Sequence, residues 1–187
     1  MATAATMYRF QIELSNIDSS VYESLDLRVA MHPSEDAERV MVRVLARALA
    51  HEEGLEFGRG LSNTDDATLW SHTDTGQIGT WIDVGLPSAE RLHRASKKSE
   101  RLLIFTHKPE AALRREWKVR KIHRAAEMKV FRLPPVFVQR LAETLERKMS
   151  LFITVHDGVL SVGIGDLTVD GVVEEISMTD LLLSTNS

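Results

Sequence analysis

The 187-residue chain has no cysteine, five prolines and only 6% aromatic residues. Without thiols it can form neither disulfides nor thiolate metal sites. No apolar run approaches the roughly 20 residues that a membrane-spanning helix needs, so no membrane crossing is expected. The opening residues, Met1 to Thr6, lack the basic and apolar segments of a secretory leader, and a cytoplasmic location is the expectation that follows. Neither sign of charge dominates, with 23 Lys and Arg against 27 Asp and Glu. What is present is a globular share of apolar residues, 43%, in a chain long enough to bury one real core. One domain over residues 1–187 is expected.

The balanced totals conceal a segregation. From Arg91 to Arg132 fourteen Lys or Arg stand against four acids. Gathered on one face, such a segment attracts a polyanion through phosphate contacts and counterion release; spread around two helices, it only solvates them.

Apolar residues alternate with polar ones at Tyr8, Phe10, Ile12 and Leu14, and again at Leu25, Leu27, Val29 and Met31. That period predicts an N-terminal hairpin. His32-Pro33-Ser34 ends it, and a helix from about Glu35 to His51 follows, with Ala37, Val40, Met41, Val44, Leu45 and Ala48 on one stripe and Arg39, Arg43 and Arg47 on another side. Short strands are predicted over 55–58, 68–73 and 78–84. A helix of about three turns starts at Leu86-Pro87-Ser88, and Leu102 to Phe105 reads as a strand buried on both faces. Helix then buried strand implies a crossover connection. Beyond it the pattern predicts a basic helix over 110–126, a strand over 128–133, a helix over 136–148 and an antiparallel C-terminal meander over about 150–180.

The chemistry-bearing residues cluster around the middle strands. Asp74-Thr75-Gly76 is a turn signal near the midpoint between Asp66 and Asp83, so antiparallel pairing brings two carboxylates toward one end of a hairpin. Converging carboxylates can hold Mg²⁺, which prefers oxygen ligands and keeps several waters. On the preceding helix Glu38 borders the apolar stripe and can point along the seam, whereas Glu35 is placed nearly opposite that stripe. Glu38 is the preferred candidate on that argument. Zinc is not expected: His51-Glu52-Glu53 begins like a zinc-protease motif, but Leu55 takes the place of its second histidine. Gly163-Ile164-Gly165 lacks the lysine and hydroxyl of a phosphate loop, and Trp70 and Trp81 fit a core better than a base-stacking platform.

Helix, three strands, helix, strand, with acids on the first helix, entering the second strand and near the end of the third, resembles the core of the PD-(D/E)xK nuclease superfamily. Four segments narrow the likeness: R-V-A-M-H-P-S-E-D-A-E-R-V-M-V-R-V-L-A, G-R-G-L-S, W-I-D-V-G-L-P and R-L-H-R-A-S-K. As a set they are similar to the YaeQ family over essentially the whole chain.

The resemblance implies an α+β fold: an α/β-like core at about 34–133, an N-terminal hairpin and a terminal meander. It also implies hydrolysis of nucleic-acid phosphodiesters with Mg²⁺ or Mn²⁺, in which Glu38, Asp66 and Asp83 hold the metal. Two departures qualify that implication. The proline-acid pair is replaced by Asp65-Asp66, leaving either aspartate as the second-strand acid, and Gly85 stands where the superfamily places a lysine. A cation from the next helix could replace it, with Arg94 first and Arg91 and Lys97 behind; an arginine there would act electrostatically, because it stays protonated. Arg91, Arg94, Lys97 and Lys98 are the expected nucleic-acid contacts. The competing expectation is a nucleic-acid or protein-binding module of the same fold without effective catalysis.

Overall fold

Two mixed β-sheets enclose a central helix. The computed structural model describes residues 5–60, 63 and 65–183; Leu61 and Ser62 of the G-R-G-L-S segment and the polar tail Ser184–Ser187 lie outside them. The N-terminal alternation folds as expected: β1 (Thr6–Asn16) turns Phe10, Ile12 and Leu14 inward and pairs antiparallel with β2 (Val21–Met31), Phe10 opposite Leu27.

Helix α1 (Ala37–Leu49) is capped by Asp36, whose side chain accepts from the Arg39 N–H at 2.7 Å. Val40, Met41, Val44 and Leu45 are fully buried, and so are Val42 and Ala46. Burial on more than one side follows from its position: α1 touches β2 of one sheet and β5 and β6 of the other. Each such large apolar side chain contributes about 1.5–3 kcal/mol relative to exposure.

A short strand β3 (Glu56–Phe57), β4 (Leu69–His72) and β5 (Ile78–Val84) form the predicted meander, with Leu69 opposite Ile82 and a bulge between Ser71 and His72. Helix α2 (Ala89–Lys98), capped by Ser88, crosses over to β6 (Ser99–Thr106), which pairs parallel to β5. Next come α3 (Glu110–Trp117), a 3₁₀ turn at Ala125–Glu127, β7 (Lys129–Arg132) parallel to β6, and α4 (Pro135–Ala142).

The chain closes with β8 (Lys148–His156), β9 (Val159–Ile164), β10 (Leu167–Val172), β11 (Glu174–Ser177) and α5 (Met178–Leu183). The sheets have the orders β10-β9-β8-β1-β2 and β11-β7-β6-β5-β4-β3. No helix among the described residues is long and apolar enough to cross a membrane.

Three expectations need correction. The basic helix ends at Trp117 rather than near residue 126, because no buried apolar residue follows within one turn: Lys118, Val119, Arg120 and Lys121 are all exposed, and the next buried side chain is Ile122. Trp117 is fixed there by its indole N–H, which donates to the Pro87 carbonyl at 2.9 Å.

The helix after Pro134-Pro135 stops at Ala142. The Thr144 hydroxyl and N–H both return to the Leu141 carbonyl, which uncoils the chain before β8.

The C-terminal antiparallel meander forms over β8, β9 and β10, but it ends at Val172 rather than near residue 180 and is part of a larger sheet. β8 pairs parallel with β1, joining β8, β9 and β10 to the N-terminal hairpin, while β11 leaves to pair with β7. Alternation predicts strands but not their partners.

Candidate functional site

The C-terminal ends of β5 and β6 meet the N-terminus of α1, and beside them a cavity of about 300 Å³ opens. Such a crevice beyond the carboxyl ends of parallel strands is where open sheets place their sites. Asp66, Asp83, Glu35, Arg39, Arg43 and Arg91 contribute to its wall. Sequence pairing therefore did bring Asp66 and Asp83 to one cleft. Of the two neighbouring aspartates, Asp66 is buried and Asp65 exposed.

Each buried aspartate is engaged by an arginine fork. Arg59 Nε donates to Asp66 Oδ2 at 2.7 Å and Nη2 to Oδ1 at 3.0 Å. That guanidinium holds the Asp66 carboxyl below the usual carboxylate range. Arg91 forks onto Asp83, Nε donating to Oδ2 at 2.8 Å and Nη2 to Oδ1 at 2.7 Å, while Nη2 also reaches the Asp66 carbonyl at 2.6 Å. Thr68, one step beyond the Leu69–Ile82 pair, adds a weak hydroxyl contact to Asp83 Oδ1 at 3.4 Å. Beneath Arg91 the ring of Trp81 lies 5.4 Å from its guanidinium carbon, and Trp70 meets Trp81 edge-to-face.

The third carboxylate in the wall is Glu35, not Glu38. Glu35 precedes the cap of α1, so a helical wheel does not describe it. Its side chain is 2% exposed; its oxygens accept from Arg39 Nε at 3.0 Å, from Arg43 Nη1 at 3.2 Å and from the His32 N–H at 2.8 Å. Glu38 is 37% exposed and lies outside the cavity wall, with Oε2 at 2.9 Å from His107 Nε2. His107, just past β6, is 6% exposed, and burial together with Lys108 draws its pKa below the ordinary imidazole value against the opposing pull of Glu38.

The cation at the Gly85 position comes from α1. A Cβ on residue 85 would stand 3.1 Å from Arg39 Nη1, which donates to the Val84 carbonyl at 2.7 Å. Gly85, at φ +87°, thus both turns the chain and leaves room for the arginine. Arg94 is exposed on α2 and outside the cavity wall. Sequence reasoning passed over Glu35, Arg39, Arg43 and Arg59. Two signals were available: the four-residue spacing of Arg39 and Arg43, and Arg59 inside the G-R-G-L-S segment.

A divalent ion does not fit this donor set. All three wall carboxylates are already paired with guanidinium groups, and among the described residues no three Asp, Glu or His side chains are grouped to hold a metal.

Next to the cleft, α2 carries a basic face. Arg94, Lys97 and Lys98 are exposed, as are Lys118, Arg120 and Lys121 after α3. The His93 ring links the two segments: its Nδ1 accepts from the His123 N–H at 3.2 Å, and it bonds the Lys121 backbone. Partial burial lowers the His93 pKa, and the charges of Lys97 and Arg120 lower it further. Arg124 ties the loop down by donating to the carbonyls of Ser99 at 3.2 Å and Glu100 at 2.7 Å.

The family model described as YaeQ protein matches residues 1–172. The chain belongs to the YaeQ family. It is 31% identical to the uncharacterized protein YaeQ of Escherichia coli K12 over 161 residues, covering 86% of this chain and 89% of that one. With the YaeQ protein of Salmonella typhi it shares 32% identity over 162 residues and the same coverages. The crystal structure of YaeQ from Xanthomonas axonopodis pv. citri superposes with a TM-score of 0.85 at 31% identity, over 92% of this chain and 98% of that one. YaeQ from Pseudomonas syringae follows at 0.84 and 28%, over 92% and 96%. Of the segments that carry the resemblance, W-I-D-V-G-L-P supplies Asp83, Val84, Leu86 and Pro87 to the cavity wall, and R-L-H-R-A-S-K supplies Arg91.

Proposed function

We propose that this protein binds a nucleic-acid strand along the basic face of α2 and the loop after α3, and does so without metal-dependent hydrolysis. The observation that carries the reading is the paired state of the buried aspartates: Arg91 occupies both oxygens of Asp83, and Arg59 both oxygens of Asp66. Carboxylates neutralised in this way offer no open site to a hard divalent cation. The helix–meander–helix–strand order resembles the PD-(D/E)xK core, so a nuclease ancestry is part of the reading; fold alone does not carry the activity.

Cations supply the other half. Lys97 on α2 and Arg120 in the loop after α3 are exposed and both act electrostatically on His93, giving a surface on which consecutive phosphates can displace counterions. Fluorescence anisotropy in EDTA with single-stranded and duplex DNA and RNA tests the reading. Binding should be metal-independent, fall steeply with salt and weaken in Lys97→Ala/Arg120→Ala. Binding that requires Mg²⁺ or ignores salt would overturn it. Metal-dependent cleavage lost in Asp83→Asn would instead establish the nuclease reading, which rests on Asp66 and Asp83 flanking one cavity.

A further inference from the structure

The charges in the cleft do not cancel. Asp66 is matched by Arg59 and Asp83 by Arg91, but Glu35 faces two arginines at once, Arg39 at 3.0 Å and Arg43 at 3.2 Å. Arg39 and Arg43 stand four residues apart on α1 and so lie on the same side of that helix. One of these two arginines is sequestered, while Arg39 is 25% exposed. The Arg43 side chain is 4% exposed, and burial lowers its pKa, with Glu35 only partly opposing and Arg39 adding to the effect. An arginine cannot escape by losing its proton, so two guanidinium groups facing one carboxylate leave charge that a further anion would neutralise.

Arg39 and Arg43 both border the 300 Å³ cavity, and among the described residues Arg39 Nη2 has no hydrogen-bond partner. The bare α-carbon of residue 85 leaves room for Arg39 at the cavity, since a Cβ there would lie 3.1 Å from Nη1. The wall further offers the hydroxyls of Thr68 and Ser88 and the amide of Asn63. Guanidinium forks with nearby hydroxyl and amide donors are the chemistry that recognises a phosphoryl group. The volume, about 300 Å³, suits one small ligand or one terminal nucleotide and excludes a duplex. Arg91 in the wall lies on the helix that presents Arg94, Lys97 and Lys98, so the cavity adjoins the proposed strand-binding face.

We infer that the cleft is a phosphoryl site: it receives the phosphomonoester end of a nucleic-acid strand laid along α2, with Arg39 and Arg43 neutralising its charge. The strand in this inference rests on the proposed function; the phosphoryl site does not.

The test uses the full chain and three versions of one single-stranded oligonucleotide, with a 5′-phosphate, a 3′-phosphate or hydroxyls at both ends. One terminal phosphate should raise affinity at least tenfold, and Arg39→Gln should remove that gain while the hydroxyl-ended strand binds within about twofold of its original affinity. Lys97→Ala should weaken all three strands alike. Equal binding of the three strands, or an equal loss on all of them in Arg39→Gln, would overturn the inference. If no strand binds at all, the proposed function fails and calorimetry with inorganic phosphate decides the site: heat present in the native protein and absent in Arg39→Gln upholds it, and no heat overturns it. Thermal denaturation verifies that Arg39→Gln is folded, and Arg39→Lys, which keeps the charge but loses the fork, should recover only part of the gain.

Discussion

Replacing Gly85 with Ala separates two roles of one glycine. Its φ of +87° lies in the left-handed region, where an L side chain costs about 1–2 kcal/mol. Gly76, at φ +80° in the β4–β5 turn, incurs the same backbone cost with nothing within 4 Å of an added Cβ. At residue 85 the new methyl meets Arg39 Nη1 at 3.1 Å, a tight contact that the end of a flexible side chain relieves by moving a few tenths of an ångström.

Gly85→Ala and Gly76→Ala should therefore lose similar stability, about 1–2 kcal/mol, or roughly 2–8 °C in Tm for a chain of this size. Their effects on phosphate differ. The guanidinium, displaced by a few tenths of an ångström, loosens its 2.7 Å hydrogen bond to the Val84 carbonyl and shifts off its position in the cleft. Losing half of a charge-assisted hydrogen bond, about 1 kcal/mol, lowers affinity roughly fivefold. Thermal denaturation and calorimetric titration with inorganic phosphate measure both quantities. If the two variants bind phosphate equally, or Gly85→Ala costs over about 2 kcal/mol more than Gly76→Ala, the placement of Arg39 is refuted.

Glu35→Gln strips the counter-ion from two arginines and should destabilise by about 3–5 kcal/mol in urea unfolding, whereas Glu38→Gln, at a partly exposed site, should cost under about 1 kcal/mol; the reverse order would restore Glu38 as the buried acid. The folded-state pKa of His107 is lowered, so the unfolded chain binds more protons and stability falls as pH drops below the unfolded value of about 6.5. His93, shifted the same way, contributes to the same slope. Denaturant midpoints between pH 7.5 and 5 should show that loss, smaller in His107→Gln; an unchanged slope in His107→Gln/His93→Gln would contradict it. For a single strand, each lost phosphate contact should lower the slope of log K against log salt by about 0.7. Lys97→Ala/Arg120→Ala should then lower it by about 1.4, and an unaltered slope would remove those cations from the interface.

Local order was legible wherever one period ruled. The β1–β2 alternation, the α1 stripe, and the crossover from α2 to a strand buried on both faces came directly from residue spacing. Pairing was not: nothing in Leu151 to His156 announces that β8 runs parallel to β1, because an alternating strand suits any neighbour with a complementary apolar face. The basic helix was overextended because charge and helix propensity persist past Trp117 while the buried stripe does not.

At the cleft, Asp66 and Asp83 were legible from the turn between them. Their arginines were not, since Arg59 lies on the preceding loop and Arg91 on the following helix, and only the fold brings each to its carboxylate. Glu35 was misjudged because a helical wheel was extended past the cap at Asp36.

In the proposed function, arginine and not a divalent ion engages the buried aspartates: Arg91 bonds both oxygens of Asp83 and the Asp66 carbonyl. Calorimetric titration of the protein with Mn²⁺, with each sample then incubated with single-stranded and duplex DNA and analysed for cleavage, tests this most directly. No saturable Mn²⁺ binding and intact strands are expected. Stoichiometric binding that disappears in Asp83→Asn, accompanied by cleavage, would contradict it.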